Sequence, residues 1–253
     1  MIGRWPACGD GSRPTAPYTP SVRVLSLIHQ DDAPTGTFAD AVREQGGELL
    51  EWNLANGAPP APPESFDAVF IFGGGMHVDQ EEQHPWLREE DSLIKRLLAE
   101  QVPLFGVCLG GQLIAKAAGA HVGPATHEEV GWHEVQLTPE ARTDPLFSRV
   151  PERFDAFQWH QYAFELPTGA VPLARNPVGL QAYRLDDSAW GIQFHAEVTR
   201  GIVEGWLASD GSGRQIDLSP IDRWAELGRG LADRFLELAS RPRRGRPVAT
   251  PAS

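Results

Sequence analysis

Cysteine is scarce in this chain: there are two, Cys8 and Cys108, among 253 residues. A disulfide framework is therefore not expected, and a reducing, cytoplasmic setting fits. Positive charge is also in deficit, with 22 Lys and Arg against 34 Asp and Glu and a net charge of −12. That balance argues against general binding to nucleic acid or to an acidic membrane. No apolar run approaches the roughly 18 residues that a membrane-spanning helix needs. Met1-Ile2-Gly3-Arg4-Trp5-Pro6 does not read as a secretory signal. A Walker-type phosphate loop and an internal repeat are missing as well.

What is present reads as one α/β domain over residues 21–240, with 41% hydrophobic residues to build its core. Residues 1–20, with Pro6, Pro14, Pro17 and Pro20, read as a disordered leader. Strands are expected at 22–28, 48–52 and 67–72, and helices at 37–45, 85–99 and 111–118. Gly46 and Gly47 stop the first helix. Trp86, Leu87, Leu93, Ile94, Leu97 and Leu98 give the second a core-facing stripe. The alternation predicts a doubly wound, mostly parallel sheet with helices on both faces. Between 119 and 185 helix signals thin out. Strands at 132–137, 154–159, 171–174 and 179–183 would extend the sheet, some of them antiparallel. A helix at 201–207 and a linker at 208–213 follow. A last helix occupies 218–240, where Ile221, Trp224, Leu227, Leu231, Phe235 and Leu238 recur every three or four residues. It would pack back on the domain or bind a partner. Residues 241–253 form a basic, disordered tail.

The chemistry centres on residues 103–113, an apolar run that turns into a helix start. Gly106-Val107-Cys108-Leu109-Gly110 has the G-x-nucleophile-x-G spacing of a nucleophile elbow. A strand that turns at once into a helix leaves the turn residue strained, and a Cβ at either flanking position would collide across the turn. The thiol then stands above a helix N-terminus. That setting favours thiolate over a free thiol, whose pKa is about 8.5. Alone, such a Cys is more often a small buried hydrophobe than a nucleophile. A second stretch, residues 190–198, again runs as a strand into a polar end. His195 and Glu197 lie two residues apart on extended chain and so share a side. A base and its orienting carboxylate facing one Cys is triad logic.

The two stretches together resemble the class I glutamine amidotransferase family. Its nucleophile motif G-x-C-x-G-x-Q is matched by Gly106-Val107-Cys108-Leu109-Gly110-Gly111-Gln112, and its distal F-H-x-E motif by Phe194-His195-Ala196-Glu197. Ala196 stands where the family usually has Pro. Phe72-Gly73-Gly74-Gly75 matches a third feature, a Gly-rich turn after an earlier strand. The resemblance spans roughly residues 22–207 and is nearest to the glutaminase domain of GMP synthase. It implies the flavodoxin-like amidotransferase architecture and hydrolysis of the glutamine side-chain amide through a γ-glutamyl thioester, with no metal or organic cofactor. Cys108, His195 and Glu197 would be catalytic. The N–H groups of Gly74 and Leu109 would form the oxyanion hole. Gly73, Gly75, Gln112 and His160 would contact substrate. After His160 the family's small acidic residues give way to Gln161 and Tyr162, so selectivity for plain glutamine is open.

Other polar clusters carry less. His77 and His84 flank Asp79, Glu81 and Glu82, a conceivable metal set but more simply a solvated acidic loop capping the next helix. His127 and His133, near Glu128 and Glu129, read as surface or sheet-edge residues. PfpI-type peptidases place His directly after the nucleophile, where this chain has Leu109. Three functions stay open: an amidotransferase-like glutaminase feeding ammonia to a separate synthetase, a stand-alone γ-glutamyl amide or peptide hydrolase, and a non-catalytic binding or regulatory subunit. The expected small-molecule partner is L-glutamine or a γ-glutamyl compound.

Overall fold

The computed structural model describes residues 22–241; the leader, Cys8 and nearly all of the basic tail lie outside them. In chain order the elements are β1 (Arg23–Ile28), α1 (Thr37–Glu44), β2 (Glu48–Asn53), β3 (Ala68–Ile71), α2 (Trp86–Ala99), β4 (Leu104–Val107), α3 (Leu109–Ala117), β5 (Val122–Leu137), β6 (Arg153–Phe164), β7 (Val171–Arg175), β8 (Leu180–Leu185), β9 (Ala189–Ile192), α4 (Arg200–Ser209) and α5 (Ile221–Ala239). They build a nine-stranded sheet in the order β2-β1-β3-β4-β9-β8-β7-β5-β6.

The expectation of a mostly parallel sheet needs correction. The pairings β1–β2, β1–β3, β3–β4 and β4–β9 are parallel. The pairings β5–β6, β5–β7, β7–β8 and β8–β9 are antiparallel. The sheet is therefore mixed. Parallel neighbours need a crossover of a dozen or more residues, usually a helix. Between Ala117 and Arg200 the only helical element is a 3₁₀ turn, Pro139–Thr143. Strands joined that tersely can only fold back on one another.

Helices cover both faces. On one, Phe38 of α1 and Phe235 of α5 pack over Phe70, Phe105 and Trp190, which sit in register across β3, β4 and β9. The rings of Phe38 and Phe105 lie 5.4 Å apart and those of Phe105 and Phe235 5.5 Å. On the other, Leu93, Ile94 and Leu97 of α2 and Leu113 and Ile114 of α3 pack over Leu25, Val69, Ile71 and Leu104. Each buried Phe contributes roughly 1.5–3 kcal/mol. This double cover holds the carboxyl ends of β1, β3, β4 and β9 side by side, the edge at which open α/β sheets bind ligands.

Candidate active site

β4 ends at Val107 and α3 begins at Leu109, so Cys108 alone makes the turn. Its backbone sits at φ 53° and ψ −111°, a region that residues with a Cβ rarely occupy. The flanking glycines are required sterically. A Cβ on Gly106 would lie 2.5 Å from the Gly110 carbonyl carbon, and one on Gly110 would lie 1.9 Å from the Ile71 oxygen. The Cys108 N–H donates to Ile192 O at 2.8 Å, which ties the elbow to the end of β9. The side chain is buried at the start of α3. Gln193 Nε2 reaches its sulfur at 3.6 Å, and the Trp159 carbonyl lies 3.9 Å from it.

His195 and Glu197 lie beyond β9 rather than on it, because the strand closes at Ile192. The segment is irregular but tightly held. The His195 N–H donates to Phe157 O at 2.8 Å, and its carbonyl accepts from Trp224 Nε1 at 2.7 Å. The Glu197 carbonyl accepts from Thr37 N at 2.9 Å. Gly36, at φ 58°, passes so close that a Cβ there would lie 2.1 Å from that oxygen. His195 Nδ1 meets Glu197 Oε1 at 2.7 Å, and both side chains are buried. Nε2 and Glu197 Oε2 have no hydrogen bond of good geometry among the described residues. Nδ1 is taken by Glu197, so the interaction of the ring with Cys108 falls to its other nitrogen, Nε2. Burial opposes the imidazolium, but the nearby charges of Glu197 and Cys108, with the hydrogen bond to Glu197, push the His195 pKa well above its ordinary 6.5.

The glycine turn after β3 closes over this pair. A Cβ on Gly73 would lie 3.2 Å from His195 Cε1 and 3.8 Å from Cys108 Cβ. One on Gly74 would lie 2.9 Å from His29 Cβ, so even Ala is refused there. Among the described residues the N–H groups of Gly74 and Leu109 donate to no protein acceptor, whereas Gly75 N–H is taken by Gln30 Oε1 at 2.7 Å. The turn is braced from beneath by residues the sequence had not singled out. His29 Nδ1 lies 3.1 Å from Gly73 O, and Nε2 lies 3.0 Å from Glu90 Oε1 of α2. Burial opposes a charged His29, but Glu90's charge and hydrogen bond, with the Gly73 carbonyl, raise its pKa above 6.5.

A cavity of about 310 Å³ opens in front of Cys108, bordered by Gly74, Gly75, Gln112, His160 and Tyr162. Gln112 Nε2 donates to Tyr162 O at 2.9 Å and Gln193 Oε1 at 3.1 Å. His160 borders the cavity but has no free ring nitrogen: Nδ1 lies 3.0 Å from Tyr162 O and Nε2 lies 3.0 Å from Glu129 Oε2. Through Nδ1 it holds the Tyr162 carbonyl in place. Glu129 is buried rather than at the surface, and Asn176, Gln181 and His133 also reach it. Burial works against its charge, yet hydrogen bonds from His160 and Asn176 hold its carboxyl below the usual range. His133 is thus half-buried against Glu129, while His127 is exposed as expected. The acidic loop does not converge on a metal geometry among the described residues. Glu81 pairs with Lys116, Asp79 accepts from Tyr162 Oη at 3.1 Å, and His77 stacks on the Tyr162 ring at 3.9 Å. Nor does that loop cap α2, whose N-cap position is Pro85 with no side-chain bond.

The glutamine amidotransferase class-I family matches residues 48–205 of this chain. The chain belongs to that family. Among relatives of this amidotransferase-family chain, the glutamine amidotransferase-like protein YfeJ of Salmonella typhimurium is 27% identical over 192 residues, 74% of this chain and 80% of that protein. A gamma-glutamyl-L-1-hydroxyisopropylamide hydrolase of a Pseudomonas species is 28% identical over 69% of this chain and 63% of its own length. The GMP synthase of Aeropyrum pernix is 32% identical over 70% of this chain but only 34% of its own. A crystal structure of a glutamine amidotransferase from Thermotoga maritima superposes with a TM-score of 0.80 at 28% identity, covering 88% of this chain and 99% of that one. In the family frame Gln193, His195 and Glu197 fall at alternating positions, and that spacing is the signal by which Gln193 was findable. Glu129, His29 and Glu90 carried no such signal, because their partners come from distant parts of the chain.

Proposed function

We propose that residues 21–240 form a single amidotransferase-like domain that hydrolyses the side-chain amide of glutamine, or of a γ-glutamyl compound, through Cys108, His195 and Glu197. The observation that carries this is the convergence of a strained Cys elbow with a buried His–Glu pair whose Nε2 is left for Cys108. Cys108 passes its thiol proton to His195 Nε2, and its Sγ attacks the carboxamide carbon. The oxyanion is received by the N–H groups of Gly74 and Leu109, worth about 3 kcal/mol in the transition state. His195 protonates the leaving nitrogen, and Glu197 holds its ring in the Nδ1–H tautomer. The γ-glutamyl thioester is then cleaved by water, with His195 as base, and glutamate departs. None of these steps calls on a metal or organic cofactor.

The GMP synthase relative supports delivery of ammonia to a separate acceptor synthetase, whereas the Pseudomonas relative supports a stand-alone hydrolase. Both routes share the acyl-enzyme. The test is ammonia and glutamate release by the purified full chain given L-glutamine and γ-glutamyl amides. Turnover that Cys108→Ser abolishes is the expected result. A fully active Ser variant would refute the scheme.

A further inference from the structure

Cys108 lies between two cavities. The first, beside Gln112 and Tyr162, suits the γ-glutamyl portion of a substrate. The second holds about 170 Å³ and is bordered by Cys108, Gly73, His195, Trp159, Trp206 and Ala33. Of the two, only the second is bordered by His195. That asymmetry has a chemical consequence. The group that protonates the leaving nitrogen must lie next to it, so whatever that nitrogen carries projects into the cavity on the His195 side.

Ammonia needs little room. A water-sized molecule occupies about 10–15 Å³ on the same measure, and this cavity is more than ten times larger. Its walls are also unlike a polar ammonia path. The Trp206 ring packs edge-on against His195 at 4.9 Å and against Trp159 at 5.6 Å, and Trp206 Nε1 is tied to the Asp32 carbonyl at 2.7 Å. The aromatic faces are thus fixed and present apolar surface to the cavity. Its mouth carries two exposed carboxylates, Asp32 and Asp210, and no Lys or Arg borders it.

We infer that this second cavity is a leaving-amine subsite, and that the preferred substrates are γ-glutamyl amides of compact, partly apolar amines that carry no carboxylate. The inference rests on the acyl-enzyme chemistry proposed above. Cys108 gives its thiol proton to His195 Nε2 as its Sγ bonds to the γ-carbonyl carbon, the C–N bond breaks as the tetrahedral intermediate collapses, and His195 Nε2 transfers that proton to the departing nitrogen. The free amine leaves through the Trp159–Trp206 cavity, and water then releases glutamate. Acidic amines such as amino acids meet Asp32 and Asp210 and are rejected.

The experiment compares kcat/KM, which reports formation of the common acyl-enzyme, for L-glutamine, γ-glutamyl methylamide, γ-glutamyl propylamide and γ-glutamylglycine. The propylamide should exceed both L-glutamine and γ-glutamylglycine by at least about tenfold, the discrimination that filling an apolar pocket supplies. Ala33 and Ser209 both border this cavity, and two variants, Ala33→Leu and Ser209→Phe, narrow it. Either should lower the propylamide value about tenfold and move the glutamine value less than about twofold. Should one fail to fold, the other carries the comparison. Rates that stay flat or fall with amine size, or variants that lower both substrates equally, would overturn the subsite while leaving the glutaminase scheme standing. No turnover of any substrate, with Cys108 unlabelled by a chloroketone analogue of glutamine, would overturn the scheme and the subsite with it.

Discussion

At the residue scale, Glu197 decides the state of His195. A buried imidazole would by itself lose its proton below the ordinary 6.5, because burial disfavours the charged form. The carboxylate 2.7 Å from Nδ1 reverses that, aided by Cys108. The raised pKa keeps His195 protonated to a pH well above 6.5, so the alkaline limb of the kcat/KM profile should lie there. Glu197→Gln keeps the shape and removes the charge. It should shift that limb to lower pH and cut kcat/KM roughly 100-fold or more, the usual scale of acid–base contributions. An unmoved limb would mean that Glu197 does not govern His195. The three residues were legible in the sequence because the elbow and the His-x-Glu spacing are local. Gln193 was half legible through the same alternation. The buried role of Glu129 was not legible, since its partners His160, Asn176 and Gln181 belong to three other strands and turns that only folding brings to it.

At the element scale, α5 shows how a helix remote in sequence becomes part of the site. Its predicted apolar stripe is real: Ile221, Trp224, Leu231 and Phe235 are buried, with Leu227 and Leu238 packed against them. Of the two fates open to it, docking on its own domain is the one realised. Two contacts go further than packing. Gly228 lies so near the His195–Glu197 segment that a Cβ would sit 1.8 Å from Ala196 O, and Trp224 Nε1 donates to His195 O. Trp224→Phe keeps an aromatic ring beside Phe154 and Phe194 but leaves that buried carbonyl without its donor. We expect a stability loss of about 1–3 kcal/mol and a fall in kcat with little change in KM. Denaturant melts and steady-state kinetics measure the two. A stability loss with kcat unchanged would reduce α5 to a structural cover. Helix periodicity revealed the stripe, but it carries no information about which strand end the stripe will cover.

At the scale of the whole molecule, the buried His29–Glu90 pair joins the end of β1, the Gly73 turn and α2. Because His29's pKa is raised in the folded state, its stabilising contribution is fully present below about pH 6.5 and is lost as pH climbs through the raised value. Glu90→Gln leaves a buried imidazole without its counter-charge. The destabilisation should be largest near pH 6 and shrink toward pH 9, on the order of 3 kcal/mol at the acid end. Melting temperatures of the wild type and variant across that range read it directly. A pH-independent difference would show that His29 is neutral throughout. Among the described residues no helix is long and apolar enough to cross a membrane, in keeping with the lack of long apolar runs.

The sequence by itself determined the parallel half of the sheet, its helices, the elbow and the candidate trio Cys108, His195 and Glu197. All of these rest on short-range periodicity and spacing, which the pleat, the helical turn and the steric demands of glycine translate directly. Only the tertiary structure decided the rest. The sheet is mixed because the absence of crossover helices after α3 obliges β5 to β8 to fold back, and how far β5 and β6 run depends on each finding the other. The braces beneath Gly73 and around Glu129, and the second cavity beside His195, arise from side chains tens to more than a hundred residues apart. Their proximity is a product of packing, which no local pattern records.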